Sequence, residues 1–333
     1  MHQPIPTTFA LLGLLFSSAA ALTYAALGDS YPAGDGAGHA LLPPDHPDFG
    51  CGRFTSAYPV LLSQTPELNI NPSSDFLNLP CGGASTSSVR RTQLPLLLRG
   101  SDGWDVLTLT VGGNEVGFFE VLNACVYRFF PVLPGRGCVA ELERARSLVE
   151  DGGGKGLLKG VGELVRELAG YKDEVGGRLL VTGYARFFNE DTEWCDGVSF
   201  AGAGWEELFL TRAMRREFNE VVRLLNDIIR ANAEVHGAEY VDIDAVFEGH
   251  RFCEEGGWEA LISDETWFFG APEQEQRSST TVDINGKRRQ ETVLRLPRPI
   301  GGFVNMTRAF HPTVLGHEAV AKQIADMLLS ISE

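Results

Sequence analysis

Five short stretches of this chain are apolar on nearly every residue rather than on alternate ones. They are Thr23-Tyr-Ala-Ala-Leu-Gly28, Asp75-Phe-Leu-Asn-Leu79, Asp105-Val-Leu-Thr-Leu-Thr-Val111, Arg178-Leu-Leu-Val-Thr182 and Ala238-Glu-Tyr-Val-Asp-Ile243. A strand that is apolar on both sides needs cover on both sides, which is the condition of a parallel sheet between helical layers. Helical patterns lie between these stretches. One runs from about Trp205 to Asn232, with Phe218, Val221, Val222, Leu225, Ile228 and Ile229 at three- and four-residue spacing. Others span Leu157 to Tyr171 and Pro312 to about Ile331. Strand–helix alternation predicts right-handed crossovers and an α/β fold, a three-layer α/β/α sandwich on a central parallel sheet of about five strands.

Two stretches depart from the alternation. Gly36 to Arg53 is rich in Gly, Pro and Asp and reads as an ordered surface loop. An insertion over about 249–304 lacks a long helical pattern. It holds a candidate hairpin, Thr280–Ile284 against Lys287–Leu294, and the aromatics Trp258, Trp267, Phe268 and Phe269. The basic run Lys287-Arg288-Arg289 follows the turn signal Asn285-Gly286 and reads as the solvated start of a strand. With no repeat or low-complexity linker, residues 22–333 read as one domain.

The N-terminus has the apolar run Phe9–Phe16 followed by the small residues Ser17–Ala21, the pattern of a secretory signal peptide over residues 1–21. Six cysteines, an even number, agree with export to an oxidising compartment and with three disulfides. No C-x-x-C pair and no His/Asp cluster at ligand spacing occurs, so neither a metal nor another cofactor is expected. A net charge of −16 repels nucleic acid and anionic lipid. The expected partner is a small-molecule or lipid substrate met by a monomer without a stable membrane anchor.

Chemistry gathers where the strands end. Gly28-Asp29-Ser30 follows the first strand, and ligands of an open parallel sheet sit beyond the carboxyl ends of its strands. On the tripeptide alone, Ser30 is better read as the cap of the next helix. Cys81-Gly82-Gly83-Ala84 follows the second strand, where a glycine lets the backbone approach a ligand and aim an N–H at it. Gly112-Gly113-Asn114-Glu115 follows the third and brings a carboxamide, a neutral donor that does not deprotonate. Phe310-His311-Pro312 opens the C-terminal helix, with Pro312 in its first turn. A histidine at a helix start is held neutral, as a general base must be. Singly, each block also reads as an ordinary turn, cap or core histidine.

With the four blocks in this order, the chain resembles the SGNH hydrolases, also called GDSL esterases and lipases, over about residues 22 to 330. The resemblance implies a flavodoxin-like fold and ester hydrolysis through an acyl-serine. Ser30 would be the nucleophile and His311 the base. The backbone N–H groups of Ser30 and Gly83, with the Asn114 side chain, would hold the oxyanion. One position departs: the family usually has Asp three residues before the histidine, and here stands Arg308. An arginine cannot accept the imidazole N–H. The chain is similar to the secreted actinomycete-type branch, a Ser–His dyad in which a backbone carbonyl takes that place. The carbonyl of Arg308 is then the expected acceptor, with Asp264 and Asp283 as poorer candidates. The same branch implies the disulfides Cys51–Cys81, Cys125–Cys138 and Cys195–Cys253, the first bracing the oxyanion loop.

Asp29 is expected to order the nucleophile loop, and His317 to sit on the helix surface or to support the site from behind. A glycan on the sequon Asn305-Met-Thr307 would crowd the cleft. The expected activity is that of a secreted carboxylester hydrolase on lipid or small acyl esters. The alternatives are a carbohydrate O-deacetylase using the same residues and a catalytically silent binding protein on the same fold. The insertion aromatics suit acyl chains and sugar rings alike.

Overall fold

The computed structural model describes residues 21–100, 103–128, 136–150, 157–200, 208–256, 265–270, 275–282, 288–295 and 308–330. The signal segment before residue 21, Trp258, Asp264, Asp283, the Asn285-Gly286 turn and the sequon at Asn305 lie outside these residues.

The five apolar stretches form one parallel sheet. Its strands are β1 (Tyr24–Gly28), β2 (Phe76–Asn78), β3 (Val106–Thr110), β4 (Arg178–Thr182) and, after the two-residue β5 (Val198–Ser199) outside the sheet, β6 (Glu239–Val241). The order is β2-β1-β3-β4-β6. Every residue of β1 and β3 is buried, which explains why these strands are apolar on both sides. The threonines of β3 are satisfied within the core: Thr108 pairs with the Tyr24 hydroxyl at 2.8 Å and Thr110 with the Tyr58 hydroxyl at 2.9 Å.

Helices cover both faces. In chain order they are α1 (Ser30–Ala33), α2 (Tyr58–Ser63), α3 (Thr86–Ser88), α4 (Leu94–Leu97), α5 (Gly113–Val116), α6 (Phe118–Leu122), α7 (Cys138–Glu150), α8 (Leu157–Val175), α9 (Arg212–Val235) and α10 (Val314–Leu329). α2 packs on α10 on one side, while α7 and α8 pack on α9 on the other. α9 buries Phe218, Val221, Val222, Leu225 and Ile229, the predicted apolar face. It starts later than the periodicity suggests, because the Thr211 side chain accepts the Met214 N–H and sets the N-terminus there.

α10 also starts late. Pro312 is bridged to Phe268, and the Thr313 N–H donates to the Trp267 carbonyl at 2.9 Å, so Thr313 becomes the N-cap. His311 therefore precedes the helix instead of opening it.

Within the insertion, β7 (Glu275–Val282) and β8 (Arg288–Arg295) form an antiparallel hairpin, with β5 parallel to β8. β7 starts earlier than predicted, β8 is shifted by one residue, and the last described pair is Val282 opposite Arg288. The cysteines join as Cys51–Cys81, Cys125–Cys138 and Cys195–Cys253, the pairs the resemblance implies. Among the described residues, no helix is long and apolar enough to cross a membrane.

The chain passes from β1 to one neighbour and then to the other, so the strand order reverses at β1. Such a switch point leaves a crevice beyond the carboxyl ends of β1 and β3. Gly28 pairs in register with Thr110, so the turns bearing Ser30 and Asn114 leave the sheet side by side.

Candidate active site

Gly28 ends β1 at a φ of +139°, and a Cβ there would meet the Thr110 carbonyl oxygen at 2.1 Å. Only glycine fits. Its peptide groups are gripped by Gln93: the Gly28 N–H donates to Oε1 and Nε2 donates to the Gly28 carbonyl, both at 2.8 Å. Gln93 is buried at the end of a π-helical turn, Val89–Gln93. Nothing local in the sequence marks it for this part, since it acts across 65 positions.

Asp29 is the N-cap of α1 and accepts the Tyr31 N–H at 3.0 Å. The capping reading thus belongs to Asp29 and not to Ser30. The half-buried Ser30 hydroxyl instead lies 2.7 Å from His311 Nε2. These two residues are 281 positions apart.

The histidine loop is held from the insertion side. Phe269 donates its N–H to the His311 carbonyl at 2.9 Å and accepts the Phe310 N–H at 2.8 Å. Phe310 has the left-handed φ of +64°. The carbonyl of Arg308, the expected acceptor of the imidazole N–H, accepts the His311 backbone N–H at 2.9 Å. The Arg308 guanidinium lies over the Phe269 ring at 5.2 Å.

The second block is fastened to the first. Cys81 donates to the Gly28 carbonyl at 3.0 Å, and Gly82 to the carbonyl of Cys51, its neighbour's disulfide partner, at 2.8 Å. Gly83 follows with φ +75°, and a Cβ on it would meet nothing within 4 Å. Block three is tied in turn to block two. Asn114 Nδ2 donates to the Ala84 carbonyl at 3.0 Å, and Glu115 Oε1 accepts the Thr86 N–H at 2.5 Å. An amide NH₂ has two hydrogens, so Asn114 keeps one to offer. Among the described residues, the N–H groups of Ser30 and Gly83 donate to no acceptor.

Ser30, Gly83, Asn114 and His311 share one cavity of about 700 Å³. Its apolar lining includes Leu42 and Phe49 from the loop expected at the surface, Phe54 just after that loop, and Phe118, Leu122, Phe187 and Phe310. Asp29, Asp35 and Arg53 are the charged residues of its lining. Three of the four insertion aromatics expected to meet substrate are described, and they pack elsewhere. Phe268 is buried against Phe247 at 4.8 Å, Trp267 stacks on His250 at 3.6 Å, and Phe269 lies under Arg308; none lines the cavity. Two of the aromatics that line it follow strand ends, Phe118 after β3 and Phe187 after β4. That position was the available signal.

Burial pushes the Asp29 carboxyl up to about 7, against the pull of its bonds from Tyr184 and Tyr31. His317 is a core residue and not a surface one. Its Nδ1 accepts the Tyr58 N–H at 3.3 Å, and burial lowers its pKa to about 3, so it stays neutral. Among the described residues, no group of three His, Cys, Asp or Glu side chains is placed to hold a metal ion.

The chain is 29% identical to Lipase 1 of Streptomyces coelicolor over 240 residues, which covers 72% of this chain and 76% of that one. It is 27% identical to a lipase of Streptomyces rimosus, with the same coverage. The fold superposes on phospholipase A1 from Streptomyces albidoflavus with a TM-score of 0.61 at 25% identity, covering 92% of this chain and 98% of that one. The extracellular lipase of Streptomyces rimosus gives the same TM-score at 22% identity. The family model of the GDSL-like lipases and acylhydrolases matches residues 26–319. The chain therefore belongs to the GDSL-like lipase/acylhydrolase family and is a hydrolase of ester bonds.

Proposed function

We propose that the protein is a secreted carboxylester hydrolase that uses Ser30 and His311 as a nucleophile–base dyad on lipid or small acyl esters. The observation that carries this reading is the 2.7 Å contact between Ser30 Oγ and His311 Nε2 inside an apolar cavity. In the first half-reaction, Oγ attacks the ester carbonyl as its proton passes to Nε2. The oxyanion takes bonds from the Ser30 and Gly83 N–H groups and from Asn114 Nδ2. Collapse expels the alcohol, which leaves with the proton from Nε2. In the second half-reaction, water gives a proton to the same nitrogen and attacks the acyl-serine, and collapse releases the acid as Ser30 Oγ takes the proton back from Nε2.

The carbonyl of Arg308, which accepts the His311 backbone N–H at 2.9 Å, is also the acceptor proposed for the imidazole N–H of this dyad. The aliphatic and aromatic walls suit an acyl chain better than a sugar, whose hydroxyls need polar partners. Three disulfides and the N-terminal apolar run support export, with residues 1–21 removed and 22–333 as the mature domain.

Hydrolysis of p-nitrophenyl esters from acetate to palmitate, with Ser30→Ala as control, tests the reading. Ser30-dependent turnover of chains longer than acetyl is expected. Turnover of acetate alone would favour the deacetylase, and no turnover by the folded, disulfide-intact protein would refute the hydrolase assignment of this site.

A further inference from the structure

Resting on the dyad reading, we propose that Tyr184 is a positioning residue for the oxyanion hole, its phenol joining the nucleophile turn to the asparagine turn. Tyr184 follows β4 and is 2% exposed. Its hydroxyl donates to Asp29 Oδ2 at 2.5 Å and accepts the Gly113 N–H at 3.1 Å. Asp29 precedes Ser30, and Gly113 precedes Asn114. One oxygen thus holds the residues immediately before two of the groups that face the substrate carbonyl.

With Asp29 ionised, the bonding has one direction only. Gly113 offers a backbone donor at the start of α5, where no helical acceptor exists for it. An ionised Asp29 offers only acceptors. A hydroxyl satisfies both at once, and neither a phenyl ring nor a carboxylate does.

The phenol is itself fixed. Tyr184 donates its N–H to Asn226 Oδ1 and accepts from Asn226 Nδ2, both at 2.8 Å, a clasp from α9. Its ring lies edge-on to Tyr31 at 5.1 Å and to Phe118 at 6.0 Å. Rotamer freedom is therefore spent in folding and not in the transition state, where a donor must already lie within bonding reach of the developing charge. The four-residue α5 has a single turn to hold Asn114 steady, and a bond to its first N–H supplies what its length lacks.

The test is Tyr184→Phe, which removes only the oxygen, assayed on the best p-nitrophenyl ester. The expected result is a kcat lower by about thirtyfold with KM changed by less than about threefold, the mark of a contact that matters in the transition state. In an Asn114→Ala background, the same substitution should cost clearly less than in wild type, because one of the two groups it positions is gone. Equal losses in both backgrounds, or an unchanged kcat in a folded variant, would overturn the proposal. If near-ultraviolet circular dichroism shows that Tyr184→Phe does not fold, Asn226→Ser carries the same cycle by loosening the phenol from behind. Wild-type protein without Ser30-dependent turnover would instead defeat the dyad reading, a result distinct from an active enzyme indifferent to Tyr184.

Discussion

Asp29→Asn should make the protein more stable at neutral pH and less active. Asp29 is 2% exposed, and its folded carboxyl titrates near 7 against 3.8 for the free group, chiefly because burial penalises the charge. Between those values, the native protein keeps a proton that the unfolded chain has released. Stability then falls as pH rises, at about 1.4 kcal/mol per unit over about three units, or about 4 kcal/mol in all. At this burial, solvent screening gives no reason to discount the figure. Asparagine does not titrate, and its carbonyl still accepts the Tyr31 N–H. Its NH₂, however, would donate to the Tyr184 oxygen and leave the phenol proton without its acceptor. Urea unfolding of both proteins from about pH 4 to about pH 8.5 measures the difference directly. The advantage of the variant should grow by about 4 kcal/mol up to pH 7 and stay level above it, while kcat is reduced throughout. A stability difference independent of pH, or one that favours wild type as pH rises, would refute the reasoning.

Other outcomes follow from the same geometry. Asn114→Ala should lower kcat by about a hundredfold or more, with unfolding midpoint nearly unchanged, since an oxyanion donor is typically worth about 3–4 kcal/mol. Replacing Cys51 and Cys81 by serine opens a loop of 30 residues and should cost about 3.6 kcal/mol in denaturant unfolding. Activity should fall ahead of the global transition, as Gly82 and Gly83 lose their anchor. Gly83→Ala meets no steric obstacle at φ +75°, so its thermal midpoint should reflect only about 1 kcal/mol of left-handed strain, with a larger loss in kcat from a methyl facing the cavity. At Phe310, with φ +64°, the usual order should reverse: Phe310→Gly should unfold at a higher denaturant concentration than Phe310→Ala, by about 1 kcal/mol.

The sheet was legible because its strands are apolar on both faces; the bounds of β4, Arg178 to Thr182, coincide with the sequence reading. Helix starts were less legible. The start of α10 is set by Trp267 and Phe268, residues far away in sequence that hold Pro312 and Thr313 in extended chain. The four blocks announced themselves by order and by their places at strand ends. Their supports did not, for Gln93 and Tyr184 act across 65 and 155 positions through single polar atoms. No periodicity encodes such bonds. Of the two places expected for His317, burial of this side of α10 against α2 excludes the helix surface, which a lone histidine in a helical pattern does not reveal.

Several costly features meet at one edge of the sheet. Gly28, Gly83 and Gly112 have positive φ, Phe310 is left-handed without being glycine, and Asp29 is a buried carboxyl. A left-handed non-glycine residue costs about 1–2 kcal/mol and persists only when its surroundings outweigh that. Around Phe310 they do: its ring meets Phe252 at 4.7 Å, Phe187 at 5.2 Å, Tyr127 at 5.3 Å and Phe188 at 5.4 Å. Aromatic pairs add about 0.5–1.5 kcal/mol each beyond burial, so the ring can hold the strained backbone, and with it His311, against relaxation. The same residue faces the cavity, and Phe187 does too. The apolar wall that would receive an acyl chain is therefore also the clamp on the base, and substitutions made to reshape chain-length preference at Phe187 or Phe310 should move His311 as well.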